Sequence, residues 1–302
     1  MKLQTITLSS EHLILVSFKP KRLNNPFFNL AAEEYLLQQL DCAEQDYVLI
    51  YVNKPCVVIG RNQNIYEELD LLYCIENQIE ICRRISGGGT VYHDLGNINI
   101  AFFSNCQSYK VNNYHYFMND LFRFLQSKGI EVYLNERNSI YIGDYKIGGN
   151  AQFTNRKNIL SHCTLLFDAN LDQLEKSIQS PFKQIESKAS KSVRSNVKNL
   201  SELLKNSNRD IFIKELIDYF SNHTKINPIH LENDQKILIQ DQFEPKFKTF
   251  EWIYARSPKC EIYCQNELFH IEKGKIVRAS NESFIHDSFL PVNELKMYFL
   301  KS

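Results

Sequence analysis

The distribution of glycine constrains the fold of this chain more than any other feature. Only ten glycines occur in 302 residues, and nine of them lie between Gly60 and Gly149. Three are consecutive, Gly87–Gly89, shortly after a segment expected to form a strand. Glycine adopts backbone conformations closed to other residues and lets a ligand approach closely. A chain that uses glycine so unevenly needs special backbone geometry in one region, and we expect the functional site there.

The composition is that of a folded globular protein. Hydrophobic residues make up 43% and charged residues 23% of the chain, which argues against disorder and coiled coil. Thirty-five basic residues balance thirty-five acidic ones, so a protein-wide positive field for nucleic acid is excluded. No run of eighteen apolar residues exists, and the sequence therefore predicts no membrane span.

The sequence predicts a cytoplasmic location. The N-terminus lacks a secretory pattern, although a weak transit peptide stays open because the first acidic residue is Glu11. The eight cysteines are scattered, and no His/Cys group completes a zinc pattern. We expect them to be reduced thiols.

Hydrophobic periodicity predicts both helices and strands. One helix is expected from Leu30 and another over YHYFMNDLFRFLQSKG, ending at Gly129. The runs 47–52 and 56–60 are expected to form a hairpin across Asn53-Lys54-Pro55. Further strands are predicted at 79–85, 97–103, 131–134, 139–143, 145–149 and 162–167.

The C-terminal part is expected to form a second, small domain. Residues 170–220 are predicted to be helical apart from one polar loop, and Pro228 with the polar stretch HLENDQ marks an expected linker. After about residue 240 the sequence predicts short strands, beginning with FEWIYA at 250–255, and then a final helix from Pro291.

The strongest functional signal is the segment RRISGGGTVYHDLGN at 83–97. Three successive glycines after a strand can present consecutive N–H groups to an anion. Arg83 and Arg84 add charge and forked donors suited to phosphate, and Ser86 and Thr90 add hydroxyls. The segment is neither a P-loop nor a GxGxxG dinucleotide motif. It predicts an anion site, with a flexible hairpin tip as the alternative.

Two further segments carry candidate groups. In GDYKIGGNAQ (143–152), Lys146 alternates along a strand and can point into a pocket, where an ammonium would stabilise phosphate charge. The alternative is a surface lysine beside a turn. In SHCTLLF (161–167), His162 is open between a ligand contact, a general base and a packed core residue. Cys163 is expected to be a packed thiol rather than a nucleophile.

Together these segments resemble the lipoate–protein ligase A family. The matching segments are NPFFNLAAEEYLL (25–37), VVIGRNQN (57–64), RRISGGGTVYHDLGNINIAFF (83–103), YKIGGNAQ (145–152), SHCTLLF (161–167), SVRSNVKNL (192–200) and FEWIYARSP (250–258). They follow the family's order over nearly the whole chain. Biotin ligases and octanoyl transferases share the scaffold, but the RRxSGGG…YHD and KxxGNA pair points to the lipoate branch.

The resemblance implies an α+β fold. A biotin/lipoate-ligase-like catalytic domain, 1–230, would carry a mixed β-sheet with flanking helices, and a small αβ accessory domain would occupy 240–302. The implied activity uses ATP, with Mg²⁺, to convert lipoate into lipoyl-AMP. The lipoyl group then passes to a lysine of the E2 carrier domains of 2-oxoacid dehydrogenases or of the glycine-cleavage H protein. Neither a nucleic acid nor a membrane is an expected partner.

The resemblance also implies roles for single residues. Lys146 matches the catalytic lysine that contacts both nucleotide phosphate and lipoate. The residues expected to bind ATP and lipoyl-AMP are Arg84, Ser86, Gly87, Gly88, Gly89, Thr90, Val91, Tyr92, His93, Lys146, Asn150 and His162. Metal ligands are not assigned.

Two alternatives stay open. A transferase would take its lipoyl or octanoyl group from a preformed donor; octanoyl transferases place a cysteine in the loop that here spans 187–198, and this loop has none. The other alternative is a non-catalytic ligand-binding paralogue. Departures from the family pattern at Ser139, Cys163 and Ala189 keep it open.

Overall fold

The computed structural model describes residues 24–204, 207–264 and 267–280. The expected final helix from Pro291 lies outside these residues. The fold is α+β, as the sequence predicted. The helices are α1 Pro26–Gln39, α2 Ile65–Glu68, α3 Leu71–Glu76, α4 Tyr114–Ser127, α5 Leu171–Ser177, α6 Arg209–His223, α7 Asn233–Leu238, α8 Glu244–Phe247 and α9 Phe250–Ile253. In the described part of the chain, no helix is both long enough and apolar enough to cross a membrane.

The strands form four sheets. They are β1 Asp46–Tyr51, β2 Cys56–Ile59, β3 Glu80–Arg83, β4 Val91–His93, β5 Asn97–Asn105, β6 Tyr133–Leu134, β7 Ile140–Ile142, β8 Tyr145–Gly148, β9 Asn150–Thr154, β10 Asn158–Leu166, β11 Gln184–Ser187, β12 Ile226–Pro228, β13 Cys260–Cys264, β14 Glu267–Glu272 and β15 Lys275–Ala279. The largest sheet has the order β12-β1-β5-β10-β9. It is mixed, because β12 runs parallel to β1 and the other neighbours are antiparallel.

This central sheet separates two hydrophobic clusters. Neighbouring residues on a strand point to opposite faces, and Leu49 and Phe103 accordingly lie in one cluster while Val48 and Phe102 lie in the other. Helices α4 and α6 cover the face of Phe102. Helix α1 and the sheet β3-β2-β4 cover the face of Phe103. The candidate site lies on this second face.

The expected hairpin of 47–52 and 56–60 is wrong. The two strands exist, but β1 pairs with β5 and β12, whereas β2 lies between β3 and β4 in a separate sheet. The Asn53-Lys54-Pro55 connection therefore carries the chain from one sheet to the next. The side chain of Asn53 is fully buried at this crossing and accepts a 2.7 Å hydrogen bond from Asn29 Nδ2.

Three other local predictions also differ from the structure. Residues 170–220 are helical only at α5, at the 3₁₀ turn Leu200–Glu202 and in α6. FEWIYA is not a strand, because Phe250–Ile253 forms α9, capped by the Thr249 hydroxyl, which accepts from Trp252 N. The expected linker is structured, since Pro228 ends β12 and the polar stretch HLENDQ runs into α7.

The C-terminal part of the chain forms a sheet together with a strand from the N-terminal part. Its strands form the antiparallel sheet β11-β13-β14-β15, in which β11 comes from residues 184–187. Phe247, Ile262 and Ile276 also belong to the same buried cluster as Leu49 and Tyr51. The division into 1–230 and 240–302 stays a prediction, and the contacts across it are extensive.

Candidate active site

The candidate site is a cavity between α1, the central sheet and the sheet β3-β2-β4. Its volume is about 500 Å³, and we call it the inner cavity. Of the expected site residues, nine line it: Arg84, Gly88, Gly89, Thr90, Val91, His93, Lys146, Asn150 and His162. The walls also include apolar side chains of Leu30, Val58 and Ala151. The fold thus brings most of the expected site residues together around one cavity.

The glycine loop, Ser86–Thr90, is held from behind by Arg84. The Arg84 guanidinium donates to the carbonyl oxygens of Gly87 (2.6 Å) and Gly89 (2.7 Å), to Val58 O (2.9 Å) and to Ser86 Oγ (2.9 Å). Burial lowers its pKa to about 10. Gly88 has φ +90°, and a Cβ at Gly60 would lie 2.0 Å from the Gly88 oxygen. Most N–H donors of Arg84 therefore bind the loop and hold its backbone in place.

Arg83 does not take part in the cavity, contrary to the expectation that it supplies charge for phosphate. Its side chain is fully buried and points towards the C-terminal part. There it donates to Ile253 O (2.8 Å), Ser257 Oγ (2.9 Å) and Gln63 O (2.8 Å). The strand alternation of β3 explains the difference, because successive side chains leave on opposite faces.

A hydrogen-bonded chain of side chains runs behind the inner cavity. Tyr51 OH donates to Glu33 Oε1 (2.9 Å), the Glu33 carboxylate lies 3.0 Å from His162 Nδ1, and His162 Nε2 lies 2.7 Å from Ser86 Oγ. The carboxylate fixes the proton on Nδ1, so Nε2 accepts from the Ser86 hydroxyl. The Ser86 oxygen in turn accepts from Arg84 Nε.

The hydrogen-bonded residues Ser86, His162 and Glu33 have the residue types of an acyl-transfer triad, but the serine is not exposed to the cavity. Ser86 is fully buried and does not line the cavity, so its oxygen cannot reach a bound carbonyl. Both ring nitrogens of His162 are hydrogen-bonded, so only its ring carbon atoms can face the cavity. The network orients Arg84 and the glycine loop. Gly87, like Ser86, lies outside the cavity lining.

Lys146 stands where two cavities meet. A second space of about 1050 Å³, the outer cavity, adjoins the inner one, and both are lined by Thr90, Val91, Lys146, Gly149 and Thr164. Tyr92 lines only the outer cavity, and its hydroxyl donates to Gln173 Oε1 (2.7 Å). Burial, with Arg84 nearby, lowers the pKa of Lys146. A ligand in either cavity thus lies beside the same ammonium.

Residues 187–198, the covering loop, close over the junction of the two cavities. Ser192 Oγ accepts from Thr90 N (2.9 Å) and from Gln63 Nε2 (3.0 Å), and it donates to the Glu68 carboxylate. Glu68 Oε1 also accepts from Ser192 N (2.9 Å). The loop is therefore tied both to the glycine loop and to α2.

The covering loop is also tied to the strand of Lys146. Lys146 N donates to Asn196 O (2.8 Å), and Lys198 N donates to Lys146 O (3.1 Å). These bonds form a short parallel bridge between β8 and the loop. The family resemblance pointed to the loop 187–198, but not to its pairing with the strand of Lys146.

Six of the eight cysteines are buried, whereas Cys106 and Cys264 are partly exposed. Cys163 is buried at the cavity wall, and burial raises its pKa well above the ordinary range. Burial also raises the pKa of Cys42 and of Cys74 to about 12. A thiol that stays protonated is a poor nucleophile, so these three cysteines give no support to a thioester intermediate.

Carboxylates near the outer cavity do not assemble a metal site. Glu67 pairs with Lys191 (3.0 Å) and accepts from the Ser187 hydroxyl, and Glu68 is bound to Ser192. Among the residues described, no group of three His, Cys, Asp or Glu side chains is placed to hold a metal ion. The described side chains, as arranged, do not form a site for a resident Mg²⁺.

Solved structures with a similar fold define the class. A lipoate protein ligase of T. acidophilum, solved with bound lipoic acid, superposes with a TM-score of 0.64 at 25% identity, covering 76% of this chain and 95% of that one. A lipoate-protein ligase A bound with ATP gives a TM-score of 0.64 at 26% identity, over 76% and 93% of the two chains. The fold is thus that of the lipoate ligases.

Sequence comparison identifies the family. The lipoyl protein ligase A/B catalytic domain matches residues 25–224, and the chain belongs to this family. Lipoate-protein ligase LplJ of Bacillus subtilis is 38% identical over 247 residues, which cover 80% of this chain and 74% of that protein. The resemblance seen in the sequence is therefore confirmed, and the chain is an enzyme of the lipoate–protein ligase family.

Proposed function

We propose that the protein activates lipoate with ATP and transfers the lipoyl group to a lysine of an acceptor protein. The observation that carries the proposal is the position of Lys146 between two adjoining cavities. The smaller cavity has Leu30, Val58 and Ala151 in its wall, which suits an acyl chain, and the larger one has Lys183 and Lys191 in its lining, which suits the phosphates of a nucleotide. Their junction is where a carboxylate and an α-phosphate would meet.

In the first step, a lipoate carboxylate oxygen attacks the ATP α-phosphorus. A P–O bond forms to give lipoyl-AMP, and the bond to pyrophosphate breaks. Negative charge develops on the phosphoryl oxygens, and the Lys146 ammonium stabilises it. The glycine loop, fixed by Arg84, supplies rigid backbone beside the same point.

In the second step, the amine of an acceptor lysine attacks the lipoyl carbonyl and AMP leaves. The covering loop, held over the junction by Ser192, keeps water from the mixed anhydride until the acceptor arrives. We propose the E2 carrier domains of 2-oxoacid dehydrogenases and the glycine-cleavage H protein as acceptors. Mg²⁺ would enter with the ATP phosphates, and a cytoplasmic location stays a prediction of the sequence.

Two assays on the purified protein test the proposal. The first measures ATP–pyrophosphate exchange with lipoate and detects lipoyl-AMP by mass spectrometry. The second supplies synthetic lipoyl-AMP and follows lipoylation of an apo carrier domain. Activity in both supports the ligase. Transfer without exchange would identify a transferase with a preformed donor, and lipoate binding without either activity would identify a non-catalytic paralogue.

A further inference from the structure

The side chain of Gln63 lies between the glycine loop and the covering loop and is 1% exposed. Its Oε1 accepts from Gly60 N (2.9 Å) and from Thr90 Oγ1 (2.9 Å). Its Nε2 donates to Ser192 Oγ (3.0 Å) and lies within hydrogen-bonding distance of Ser190 O (3.4 Å). One buried amide thus connects the end of β2, the glycine loop and the covering loop.

The backbone fixes which end of this amide faces which loop. The N–H of Gly60 can only donate, so the amide atom that it meets is the oxygen, and the nitrogen faces the covering loop. Ser192 Oγ accepts from this nitrogen and from Thr90 N (2.9 Å), and its own hydrogen serves the Glu68 carboxylate. Exchange of the amide nitrogen for oxygen would therefore remove the donor to the covering loop and leave the acceptor for the glycine loop in place.

The backbone of Gln63 is itself held firmly. Gln63 N donates to Gly60 O (3.1 Å), and Gln63 O accepts from Arg83 Nη1 (2.8 Å), whose side chain is fully buried. Gln63 lines neither the inner nor the outer cavity, so it is not placed to touch a ligand. Any effect of Gln63 on the reaction has to pass through the two loops that it joins.

We propose that Gln63 is a positioning residue that holds the covering loop against the glycine loop and thereby retains lipoyl-AMP until the acceptor arrives. This proposal rests on the proposed function and deepens it. Thr90 and Ser192, the partners of the amide in the two loops, both line both cavities and so flank their junction. Loss of a bond through Gln63 makes opening of the covering loop easier, and an open site lets the mixed anhydride escape or react with water to give lipoate and AMP.

Three variants separate the bonds of the amide. Gln63→Glu keeps an oxygen for Gly60 N and Thr90 Oγ1 but lacks the donor to Ser192. Gln63→Met has a similar length and lacks all of these bonds. Gln45→Met makes the same exchange at an exposed glutamine next to β1 and is the matched control.

The first assay follows lipoyl-AMP in the absence of an acceptor. Enzyme, ATP and lipoate are mixed, and free lipoyl-AMP and AMP are measured after rapid ultrafiltration. Gln63→Glu should release them about five- to tenfold faster than the wild-type protein and Gln45→Met, because the covering loop has lost a bond. Pyrophosphate formation in the first turnover should slow much less. Gln63→Met should also form pyrophosphate more slowly, because the glycine loop loses its support as well.

The second assay supplies lipoyl-AMP and follows transfer to an apo carrier domain. Gln63→Glu should raise KM for lipoyl-AMP and leave kcat nearly unchanged, since a saturating donor compensates for weaker retention. A general weakening of the fold would instead lower the active fraction and hence kcat. A double variant with Ser192→Ala should release lipoyl-AMP no faster than Ser192→Ala alone, because both changes break the same bond.

Circular dichroism and the melting temperature establish that each variant is folded. Should Gln63→Met not fold, Gln63→Glu and the double variant carry the test. Release of lipoyl-AMP from Gln63→Glu at the wild-type rate, or additive effects in the double variant, would overturn the proposal and leave the proposed function standing. A wild-type protein that forms no lipoyl-AMP at all would contradict the proposed function itself.

Discussion

Arg83 and Trp252 are hydrogen-bonded to each other across the expected boundary between the two domains. The Trp252 indole Nε1 donates to the Arg83 carbonyl oxygen (2.7 Å), and Arg83 Nε donates to the carbonyl of the next residue, Ile253 (2.8 Å). Burial lowers the pKa of Arg83 to about 10, and the described structure gives it oxygen acceptors but no carboxylate. The C-terminal part thus supplies partners for a buried charge in the N-terminal part.

Truncation after Gln235 should therefore give a strongly destabilised fragment. The cut removes Ile253 and Ser257, two acceptors of the buried guanidinium, and each loss costs about 1–3 kcal/mol. Trp252→Phe in the full chain removes the indole donor and part of the ring packing, and should lower the free energy of unfolding by about 1–3 kcal/mol. Urea unfolding measures both. A fragment as stable as the full chain would show that residues 1–230 form an independent domain.

Lys146→Met should abolish adenylate formation and yet make the protein more stable at neutral pH. The lowered pKa means that folding disfavours the charged form. This cost is fully present below the folded pKa and disappears as the pH rises above the ordinary value. Thermal melting measures the stability and pyrophosphate exchange measures adenylate formation. The control is Lys214→Met, at an exposed position of α6.

The same lysine should set the alkaline limit of the reaction. As the pH rises through the folded pKa of Lys146, the ammonium loses its proton and can no longer stabilise phosphoryl charge. The rate should fall at a pH below the ordinary lysine value of 10.5. A pH profile of kcat/KM for ATP measures this, and an undiminished rate up to that value would contradict the role of Lys146.

Ser192→Ala should loosen the covering loop. The hydroxyl makes three hydrogen bonds, with Thr90 N, Gln63 Nε2 and the Glu68 carboxylate, and the variant removes one partner from each of these groups. We expect trypsin to cleave faster after Lys188, Lys191 or Arg194, and KM for ATP to rise about tenfold. In the control variant Ser195→Ala, in the same loop, trypsin should cleave the loop no faster than in the wild-type protein. Equal cleavage of both variants would mean that Ser192 does not anchor the loop.

Cys163→Ala should keep acyl-transfer activity. Since burial keeps the thiol protonated, its removal costs packing, about 1–2 kcal/mol of stability, and no chemistry. Rates with lipoyl-AMP as donor and mass spectra of the quenched enzyme provide the measurement. An acyl-thioester on this residue, lost in the variant, would favour the transferase alternative.

The local sequence pattern predicted the helices and strands better than it predicted which strands pair. Strands β3, β5 and β10 and helix α4 follow directly from apolar and β-branched runs. The pairing of β1 and β2 did not, because two short strands joined by a tight connection look like a hairpin until distant segments compete for their edges. Here β5, more than forty residues later, takes the edge of β1.

Glu33 was missed as a site residue although the sequence carried its signal. It lies three residues after Leu30 and four before Leu37, on the stripe of α1 that is buried, and it is 1% exposed. An acid in the middle of an apolar stripe needs a buried partner. The sequence could indicate that need, but only the fold shows that His162 and Tyr51 supply it.

The backbone bridge between Lys146 and residues 196–198 has a consequence for the timing of turnover. Because Lys146 N and O are both bonded to the covering loop, the loop cannot lift away at its C-terminal end without removing the support of the strand that carries the ammonium. Opening of the loop at this end would release the strand that positions the ammonium. The site would then be fully reactive only while the loop is closed.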